Sequence, residues 1–318
     1  MDLSRREFLK VGATGALGLL TSLGLPDEVL AASKTQENGY GLLLDASRCI
    51  GCRRCMLACR AAHPLHQGED AGDQDSLSNV TKLSAENLTF VRNIPTPEDK
   101  AKPKHFAKIQ CMHCLKPGCA SACPVAALVR TPEGAVTYDA GKCIGCRYCM
   151  MACPFQIPTY EWDSPVPRVR KCTLCYERVK EGQVTACAQA CPAAAITFGR
   201  RNDLIEEARR RIAGSPRKYV NYIYGLTEAG GTGNLYVTDV SIETLGLTTK
   251  VPKDPLPDYP WKALSKTPHV AIGVSLLLAG LNVYTRQRDE LEGRADDPAS
   301  SGLREFHEGE KPEEENPR

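Results

Sequence analysis

Residues 143–154 read Cys-Ile-Gly-Cys-Arg-Tyr-Cys-Met-Met-Ala-Cys-Pro, and this spacing of four cysteines decides the fold. Three further runs of four cysteines resemble it. All sixteen cysteines of the chain fall into these runs, which are, in chain order, Cys49, Cys52, Cys55 and Cys59; Cys111, Cys114, Cys119 and Cys123; Cys143, Cys146, Cys149 and Cys153; and Cys172, Cys175, Cys187 and Cys191. Three runs end in Cys-Pro, whereas the first run ends in Cys59-Arg60.

The spacing Cys-x2-Cys-x2-Cys-x3-Cys-Pro is typical of bacterial ferredoxins, in which the fourth cysteine ligates the other cluster of a pair. A loop with three closely spaced cysteines can curl round one [4Fe–4S] cluster, but the four irons need four external thiolates. The fourth thiolate must therefore come from elsewhere in the chain. Proline after the last cysteine favours extended backbone before it and removes an N–H donor, which separates the loop from the next segment. The four runs predict four [4Fe–4S] clusters in two pairs.

Two other uses of cysteine are less consistent with these spacings. Zinc ribbons use two Cys-x2-Cys pairs with a longer spacer, and no histidine recurs here at ligand spacing. A secreted disulfide framework also has an even number of cysteines, but usually in a much shorter chain. A zinc-binding scaffold or assembly protein remains the alternative from another functional class.

The composition sets limits on fold size and on partners. The chain has 318 residues, of which 42% are hydrophobic and 25% charged, and its formal net charge is +2. This length suffices for one large or two ordinary domains. Metal binding contributes folding free energy directly, so clusters can replace part of an apolar core. The near-neutral charge and the lack of an aromatic-interleaved basic patch exclude nucleic acid as an expected partner.

Residues 1–32 are predicted to be a signal peptide of the twin-arginine type. Arg5 and Arg6 precede an uncharged stretch from Val11 to Leu25 that contains four glycines, and Ala31 and Ala32 follow as cleavage positions. An ordinary secretory signal with a chance arginine pair is the alternative. Sixteen thiols exported unfolded into an oxidising periplasm would form disulfides. Export in the folded state, after cluster insertion in the cytoplasm, avoids this problem and predicts a periplasmic location.

Residues 266–286 are predicted to span the membrane once. Between Lys266 and Arg286 lie 19 uncharged residues, which is near the lower limit for a membrane helix. Trp261 and Tyr284 flank this segment, as interfacial aromatic residues do, and the arginines after it indicate a cytoplasmic C-terminal side. A buried soluble helix is the alternative. The tail, 287–318, holds 11 acidic and 5 basic residues and is predicted to be a disordered cytoplasmic extension.

The intervening residues 33–265 are predicted to form one four-cluster domain of the α+β class, built from tandem ferredoxin-like modules. Short strands are expected next to the cysteine runs, and an amphipathic helix with Asp203 as its N-cap is expected over 203–213. A glycine run at 230–234 is interpreted as a turn into a strand rather than a phosphate loop. The predicted strands are 41–45, 88–92 within a polar insertion at 60–104, 126–130, 135–139, 195–198 and 235–239.

Four histidines lie near the cysteine runs but outside the proposed ligand sets. They are expected to be surface residues or to act through hydrogen bonds rather than as iron ligands, and they are His63, His66, His105 and His113. His113, inside the second run, could tune a nearby cluster through hydrogen bonding.

Residues 143–155 and 170–182, continuing to Ala190-Cys191-Pro192, resemble the four-cluster ferredoxin subunits of periplasm-facing respiratory oxidoreductases. These include subunits of formate dehydrogenases, dimethyl sulfoxide and polysulfide reductases, and hydrogenase-2-type [NiFe] hydrogenases. The resemblance covers about residues 40–285. The twin-arginine signal, the single C-terminal anchor and the Gly-Gly-Thr…Leu-Tyr-Val segment look most like the hydrogenase-2 electron-transfer subunit.

The resemblance implies which cysteines share a cluster, since the fourth cysteine of one run joins the first three of another. The implied ligand sets are Cys49, Cys52, Cys55 and Cys191 for cluster 1; Cys59, Cys172, Cys175 and Cys187 for cluster 2; Cys111, Cys114, Cys119 and Cys153 for cluster 3; and Cys123, Cys143, Cys146 and Cys149 for cluster 4.

The function implied by the resemblance is electron transfer without a catalytic site in this chain. No Ser/His/Asp constellation, carboxylate pair or open metal site stands out in the sequence. The expected partners are the catalytic and small subunits of a [NiFe] hydrogenase, together with an integral membrane subunit that reacts with quinone. The alternative is the equivalent subunit of a formate dehydrogenase or another molybdopterin oxidoreductase.

Overall fold

A computed structural model describes residues 38–63, 76–95 and 103–291 of the chain. The predicted signal peptide, His66 and the tail beyond residue 291 lie outside these residues. The chain divides into two compact units, residues 1–259 and residues 260–318. All four cysteine runs belong to the first unit.

The first unit mixes short strands and short helices, as the α+β prediction requires. Its strands are β1 (Tyr40–Asp45), β2 (Phe90–Pro95), β3 (Pro103–Ile109), β4 (Leu128–Arg130), β5 (Val136–Tyr138), β6 (Thr159–Tyr160), β7 (Val169–Arg170), β8 (Ile196–Arg200) and β9 (Asn234–Val237). Its helices are α1 (Arg54–Ala62), α2 (Gly118–Ser121), α3 (Tyr148–Met151), α4 (Tyr176–Lys180), α5 (Ala186–Gln189) and α6 (Arg201–Gly214), and α7 (Asp258–Leu264) begins at its end.

The largest sheet has the order β8-β1-β9, with β1 antiparallel to β8 and parallel to β9. The three leucines of β1 explain its central place, because successive strand side chains point to opposite faces. Leu42 and Leu44 pack into the main hydrophobic cluster, which also contains cysteines of three runs. Leu43 packs on the other face with Leu204 and other side chains of α6. A strand covered on both faces is expected to be apolar without alternation.

Three two-stranded sheets complete the strand structure of the described residues. β2 and β3 form an antiparallel ladder in which Val91 lies opposite Lys108; β2 lies inside the predicted insertion, and β3 begins at its end. β4 pairs with β5 between the second and third runs, and β6 pairs with β7 between the third and fourth. Because β4 to β7 lie beside the second, third and fourth cysteine runs, their pairings fix the ends of those cysteine loops relative to one another.

The strands predicted beside the cysteine runs are confirmed, with ends that differ by up to three residues. The helix predicted over 203–213 is also confirmed, as α6, but Asp203 is not its N-cap. Arg200, the last residue of β8, occupies the cap position with extended backbone (φ −67°, ψ 142°). The helix therefore starts directly where the strand ends. Asp203 lies in the first turn, where its charge still favours the positive end of the helix dipole.

The glycine run leads into a strand, as the sequence predicted. A 3-10 turn covers Glu228–Gly230, and both Gly230 and Gly231 have positive φ before β9 begins at Asn234. The carboxylate of Glu228 accepts hydrogen bonds from the backbone N–H groups of Gly225 and Thr227. Because the protein's own carboxylate accepts these N–H groups, the segment is a structural turn rather than a phosphate loop.

The second unit begins at Pro260, inside α7, and a turn at Ser265 and Lys266 connects α7 to the next helix. α8 spans Thr267–Leu291, so the helix continues five residues beyond the predicted end of the membrane span at 286. Asp258–Thr285 is the one stretch of the described chain that is long and apolar enough to cross a membrane. Its leucines and valines are exposed, among them Leu276 and Val283.

Candidate iron–sulfur cluster sites

The loops between the first cysteines of each run have a recurring backbone conformation. The residue two positions after the first cysteine has positive φ in all four runs: Gly51 (φ 69°), His113 (φ 49°), Gly145 (φ 72°) and Leu174 (φ 58°). This left-handed residue reverses the chain and lets it curl, as a three-cysteine loop requires. The curled loop also turns N–H groups toward sulfur, since Gly145 N donates to Cys143 Sγ (3.4 Å) and Leu174 N to Cys172 Sγ (3.4 Å).

The last cysteines of the second, third and fourth runs have a second recurring turn. Each is followed by proline and then, three residues after the cysteine, by a residue with positive φ: Ala126, Gln156 and Ala194. This turn directs further backbone donors at sulfur. Ala127 N lies 3.2 Å from Cys123 Sγ, and Ile157 N lies 3.5 Å from Cys153 Sγ. Hydrogen bonds to a thiolate favour its charged form and are one of the ways a protein adjusts a cluster.

The first run differs because its last cysteine lies inside a helix. α1 runs from Arg54 to Ala62 and therefore contains both Cys55 and Cys59. Proline after Cys59 would interrupt this helix, which explains its absence. The residue in its place, Arg60, donates from Nε (3.1 Å) and Nη2 (2.9 Å) to Asn87 Oδ1.

One cavity brings together the first thiol set, which consists of Cys49, Cys52, Cys55 and Cys191. Its other lining residues include Phe106, Lys108 and Tyr236. Burial raises the pKa of the Cys49 thiol, and the neighbouring thiols Cys191 and Cys52 also raise it. Burial raises the pKa of Cys55 to about 12. Cysteines from the first and fourth runs, far apart in sequence, thus meet around one space.

The second thiol set consists of Cys59, Cys172, Cys175 and Cys187. Burial raises the pKa of Cys59 well above its ordinary value, and the other three thiols lie near enough to raise it further. Burial also raises the pKa of Cys172 to about 12. The Nε2 atom of His63 lies 3.5 Å from Cys175 Sγ, which makes His63 a neighbour of this set.

The third and fourth thiol sets have the same character. Burial raises the pKa of Cys114, and the thiols that raise it further complete the third set: Cys111, Cys153 and Cys119. Burial likewise raises the pKa of Cys149, and the other thiols complete the fourth set: Cys143, Cys146 and Cys123. An iron ligand must be a thiolate, so cluster insertion displaces a proton from each of these thiols.

Thiols of successive sets interact electrostatically. Cys55 of the first set interacts with Cys187 of the second. Cys172 of the second interacts with Cys111 of the third, and Cys119 of the third with Cys149 of the fourth. These interactions link the four sets in the order first, second, third and fourth. Cys146, in the fourth set, is the exposed cysteine among the sixteen.

Several buried polar atoms near the thiol sets have no hydrogen-bond partner among the described residues. They are Lys108 Nζ, Gln110 Nε2 and Oε1, and His113 Nε2. His113 is fully buried and accepts from Val136 N at Nδ1 (2.9 Å), which leaves Nε2 as the donor. Donors without partners beside sets of four thiols suit an anionic iron–sulfur cluster, whose sulfur atoms accept such bonds. In the described part of the chain, no three or more Cys, His, Asp or Glu side chains converge on a single-ion site.

The sequence indicated His113 as a tuning residue, because it lies within a cysteine run, but showed no sign that it is fully buried. Lys108 and Gln110 lie outside the motifs that the sequence analysis identifies. Their signal is present in Phe106-Ala-Lys-Ile-Gln-Cys111, where polar residues alternate with apolar ones in a strand whose two faces are both buried. His105, by contrast, has its Nδ1 atom 3.4 Å from Asp239 Oδ1.

Comparison with known proteins agrees with this arrangement of thiols. Residues 104–201 match the model of the 4Fe-4S dicluster domain. A protein of Nitratidesulfovibrio vulgaris is 36% identical over 297 residues, which cover 91% of this chain and 79% of that protein. The hydrogenase-2 operon protein HybA of Escherichia coli O157:H7 is 36% identical over 279 residues, 77% of this chain and 84% of HybA. The iron–sulfur subunit of the nitrate-inducible formate dehydrogenase of Escherichia coli K12 is 36% identical over 247 residues, 75% of this chain and 82% of the subunit.

The chain belongs to the family of 4Fe–4S iron–sulfur proteins that includes HybA and the formate dehydrogenase iron–sulfur subunits. It is an iron–sulfur electron-transfer subunit related to HybA and to formate dehydrogenase iron–sulfur subunits. The matched dicluster segment begins at β3 and ends at the start of α6. It contains three of the four cysteine runs, and the first run lies before it.

Proposed function

We propose that the chain relays electrons through four [4Fe–4S] clusters between a periplasmic [NiFe] hydrogenase and an integral membrane subunit that reacts with quinone. When bound, a [4Fe–4S] cluster exchanges one electron at a time. The observation that supports this proposal is that thiols of each set interact with thiols of the next, because an electron relay needs closely spaced sites.

Each thiol set would hold one cluster. The first set takes its fourth thiol, Cys191, from the fourth run, and the second set takes Cys59 from the first run. In the same way, the third set takes Cys153 from the third run, and the fourth set takes Cys123 from the second run. The chain's own contribution is to fix the spacing of the sites, to exclude water from most of the thiols and to direct backbone N–H donors at sulfur.

The hydrogenase assignment is supported by similarity to HybA, whose name associates it with hydrogenase-2, and by the arginine pair and apolar stretch of residues 1–32. The second candidate is the iron–sulfur subunit of a formate dehydrogenase or another molybdopterin enzyme. Similarity to the formate dehydrogenase subunit, at the same 36% identity, supports that candidate. In either case, the chain is proposed to transfer electrons without a catalytic site of its own.

The proposed organisation is a cleaved or retained twin-arginine signal at 1–32, tandem ferredoxin-like modules at 33–265, one membrane helix at 266–286 and a cytoplasmic tail at 287–318. The exposed apolar side chains of α8 support the membrane helix, because burial in lipid would remove them from water. Protease added to spheroplasts should remove the cluster domain and leave the tail protected. Protection of the whole chain would contradict this orientation.

Anaerobic purification of the full chain from detergent-solubilised membranes tests the function. Four clusters require about 16 irons and as many sulfides per chain, and dithionite should produce the paramagnetic spectrum of reduced clusters. Large and small nickel–iron subunits among the copurifying proteins support the hydrogenase assignment, and a molybdopterin subunit supports the second candidate. Zinc without sulfide, or a colourless preparation with no such spectrum, would contradict the proposal.

A further inference from the structure

Lys108 is a buried cation without a partner of ordinary kind. It lies in β3, only 5% of the residue is exposed, and its Nζ atom has no hydrogen-bond partner among the described residues. Burying an ammonium group without compensation is costly, and buried charges in proteins are normally paired. The position therefore requires negative charge nearby.

Cysteine thiols surround this ammonium group in the described part of the chain. Lys108 interacts electrostatically with Cys187, Cys55, Cys172 and Cys59, which belong to the first and second thiol sets. It also lines the cavity of the first set. Its Nζ atom is therefore buried beside the thiols that are proposed to ligate the first two clusters.

Other charged groups at this cavity are already engaged. The carboxylate of Asp45 receives hydrogen bonds from Arg211 Nη1 (3.1 Å) and Tyr219 Oη (2.9 Å). Arg53 donates from Nη2 to Asn93 Oδ1 (3.2 Å) at an exposed position. Asp45 is already engaged and Arg53 is itself a cation, so neither is a counter-charge for Lys108; this leaves the two thiol sets and whatever they ligate.

We propose that Lys108 sets the reduction potentials of the two clusters held by the first and second thiol sets, by placing one fixed positive charge between them. This inference rests on the proposed function. A [4Fe–4S] cluster with four thiolates becomes more negative by one charge when it gains an electron. A nearby cation stabilises the more negative state more strongly, so it raises the potential, and burial strengthens the effect.

Lys171 shows why Lys108 is singled out. Lys171 is also buried and lies near Cys119 and Cys153 of the third set. Its Nζ atom, however, donates to the backbone carbonyls of Val136 and Cys172. Those bonds account for its burial structurally, whereas nothing comparable among the described residues accounts for Lys108.

The test compares K108M, K108Q and K108R in the full chain, purified anaerobically with the proteins that accompany it. Methionine has a similar length and leaves no cavity, and arginine keeps the charge. K180M is the matched control, because it removes the same charge from an exposed position in α4. The readouts are iron and sulfide content and the midpoint potentials from redox titrations followed by electron paramagnetic resonance.

We expect K108M to lower two of the four midpoint potentials, each by at least a tenfold change in the reduction equilibrium, which is about 59 mV for a one-electron couple. K108R and K180M should leave all four near the wild-type values.

Full iron content with four unshifted potentials in K108M and K108Q would overturn the inference while leaving the proposed function intact. Loss of iron from both neutral variants would also overturn it, because Lys108 would then be needed for assembly rather than for potential. If the wild-type chain holds no [4Fe–4S] cluster, the proposed function itself fails.

Discussion

The first and third cysteine runs have the same spacing and the same local turn, yet they lie in different surroundings. Both contain Cys-Ile-Gly-Cys-Arg, and the glycine and arginine have positive φ in each: Gly51 and Arg53 in the first run, Gly145 and Arg147 in the third. The isoleucine that precedes the glycine is exposed in both, by 61% at Ile50 and 65% at Ile144. Five residues of sequence are enough to specify this loop.

The segments after the two loops are different. The first run continues into the nine-residue helix α1 and is covered by the β2–β3 ladder, so that the ring of Phe106 lies directly against Gly51. The third run ends after the four-residue helix α3 in Cys-Pro, and its second cysteine, Cys146, is exposed. Cysteine spacing therefore determines the loop, whereas the burial of the thiols depends on segments far away in sequence.

The greatest loss is expected from removing the cysteines that exchange between runs. C191S should lose about four of the roughly 16 irons, because one [4Fe–4S] cluster loses a ligand. The double variant C52S/C191S should lose no more iron than C191S alone, since both residues belong to the first thiol set. C59S/C191S should lose about eight irons, because it affects two clusters. Iron and sulfide analysis after anaerobic purification measures each loss.

The corresponding variants of the third set extend this test to the other pair of runs. C114S/C153S should again lose about four irons, although its two residues come from the second and third runs. If iron loss instead followed the runs, so that C52S/C191S lost about eight irons and C52S/C59S about four, the proposed pairing would be wrong.

The helix that contains Cys59 provides the second prediction. R60P should destabilise the first run by about 3 kcal/mol or more, because proline inside a helix removes a hydrogen bond and clashes with the preceding turn. The measurement is the urea concentration at which the visible absorbance of the clusters is lost. R60A is the control: it removes the bonds to Asn87 but keeps the helix, and should cost only about 1 kcal/mol. Equal midpoints for R60P and R60A would contradict the helical account of the missing proline.

The paired glycines give the third prediction. A methyl group at Gly51 would lie 2.4 Å from the Phe106 ring, whereas at Gly145 its nearest neighbour would be the Tyr160 hydroxyl at 3.0 Å. Positive φ alone costs alanine about 1–2 kcal/mol in each loop. Overpacking against the ring adds about 1–3 kcal/mol at Gly51. G51A should therefore lower the thermal midpoint more than G145A.

Phe106 supplies the control for that difference. In an F106L background the ring is absent, so the additional penalty of G51A should shrink toward that of G145A. An unchanged penalty would show that the positive φ of Gly51 alone causes the destabilisation, and that the Phe106 ring makes no steric contribution to it.

Much of the fold could be predicted from the sequence because the decisive signals are local. Cysteine spacing identifies the iron–sulfur family, and strands with a continuous apolar pattern, such as Leu42-Leu-Leu44, are recognisable without knowledge of their partners. The predicted N-cap of α6 was wrong because Arg200 ends a strand and begins a helix at once, and no cap residue marks such a junction. The ligand sets remain predictions, although each set of four thiols lies together in the fold.

The burial of individual polar residues could not be predicted, since it depends on how distant segments pack. Lys108 resembles an ordinary surface lysine in an alternating strand until β2, α1 and the fourth run are assembled around it. His113 is similar: its fully buried ring accepts from Val136 N, a residue 23 positions away. Long-range contacts of this kind decide which residues act on a site and leave little trace in a single sequence.

The smallest effect is expected at the third run, whose Cys146 is exposed. The guanidinium of Arg147 lies 5.2 Å from the centre of the Trp162 ring and 5.5 Å from that of Tyr160, whereas Arg53 of the first run donates to Asn93. A cation over an aromatic ring at an exposed site contributes about 0.5–1 kcal/mol. R147Q should therefore destabilise this loop by about that amount and change the fluorescence of Trp162, measured in a W261F background because the chain has two tryptophans.

R147K keeps the positive charge and the same backbone conformation, so it should retain part of the interaction, and R53Q should leave the Trp162 emission unchanged. If R147Q and R147K behaved alike in both stability and emission, the stacked arginine would contribute nothing beyond its place in the turn.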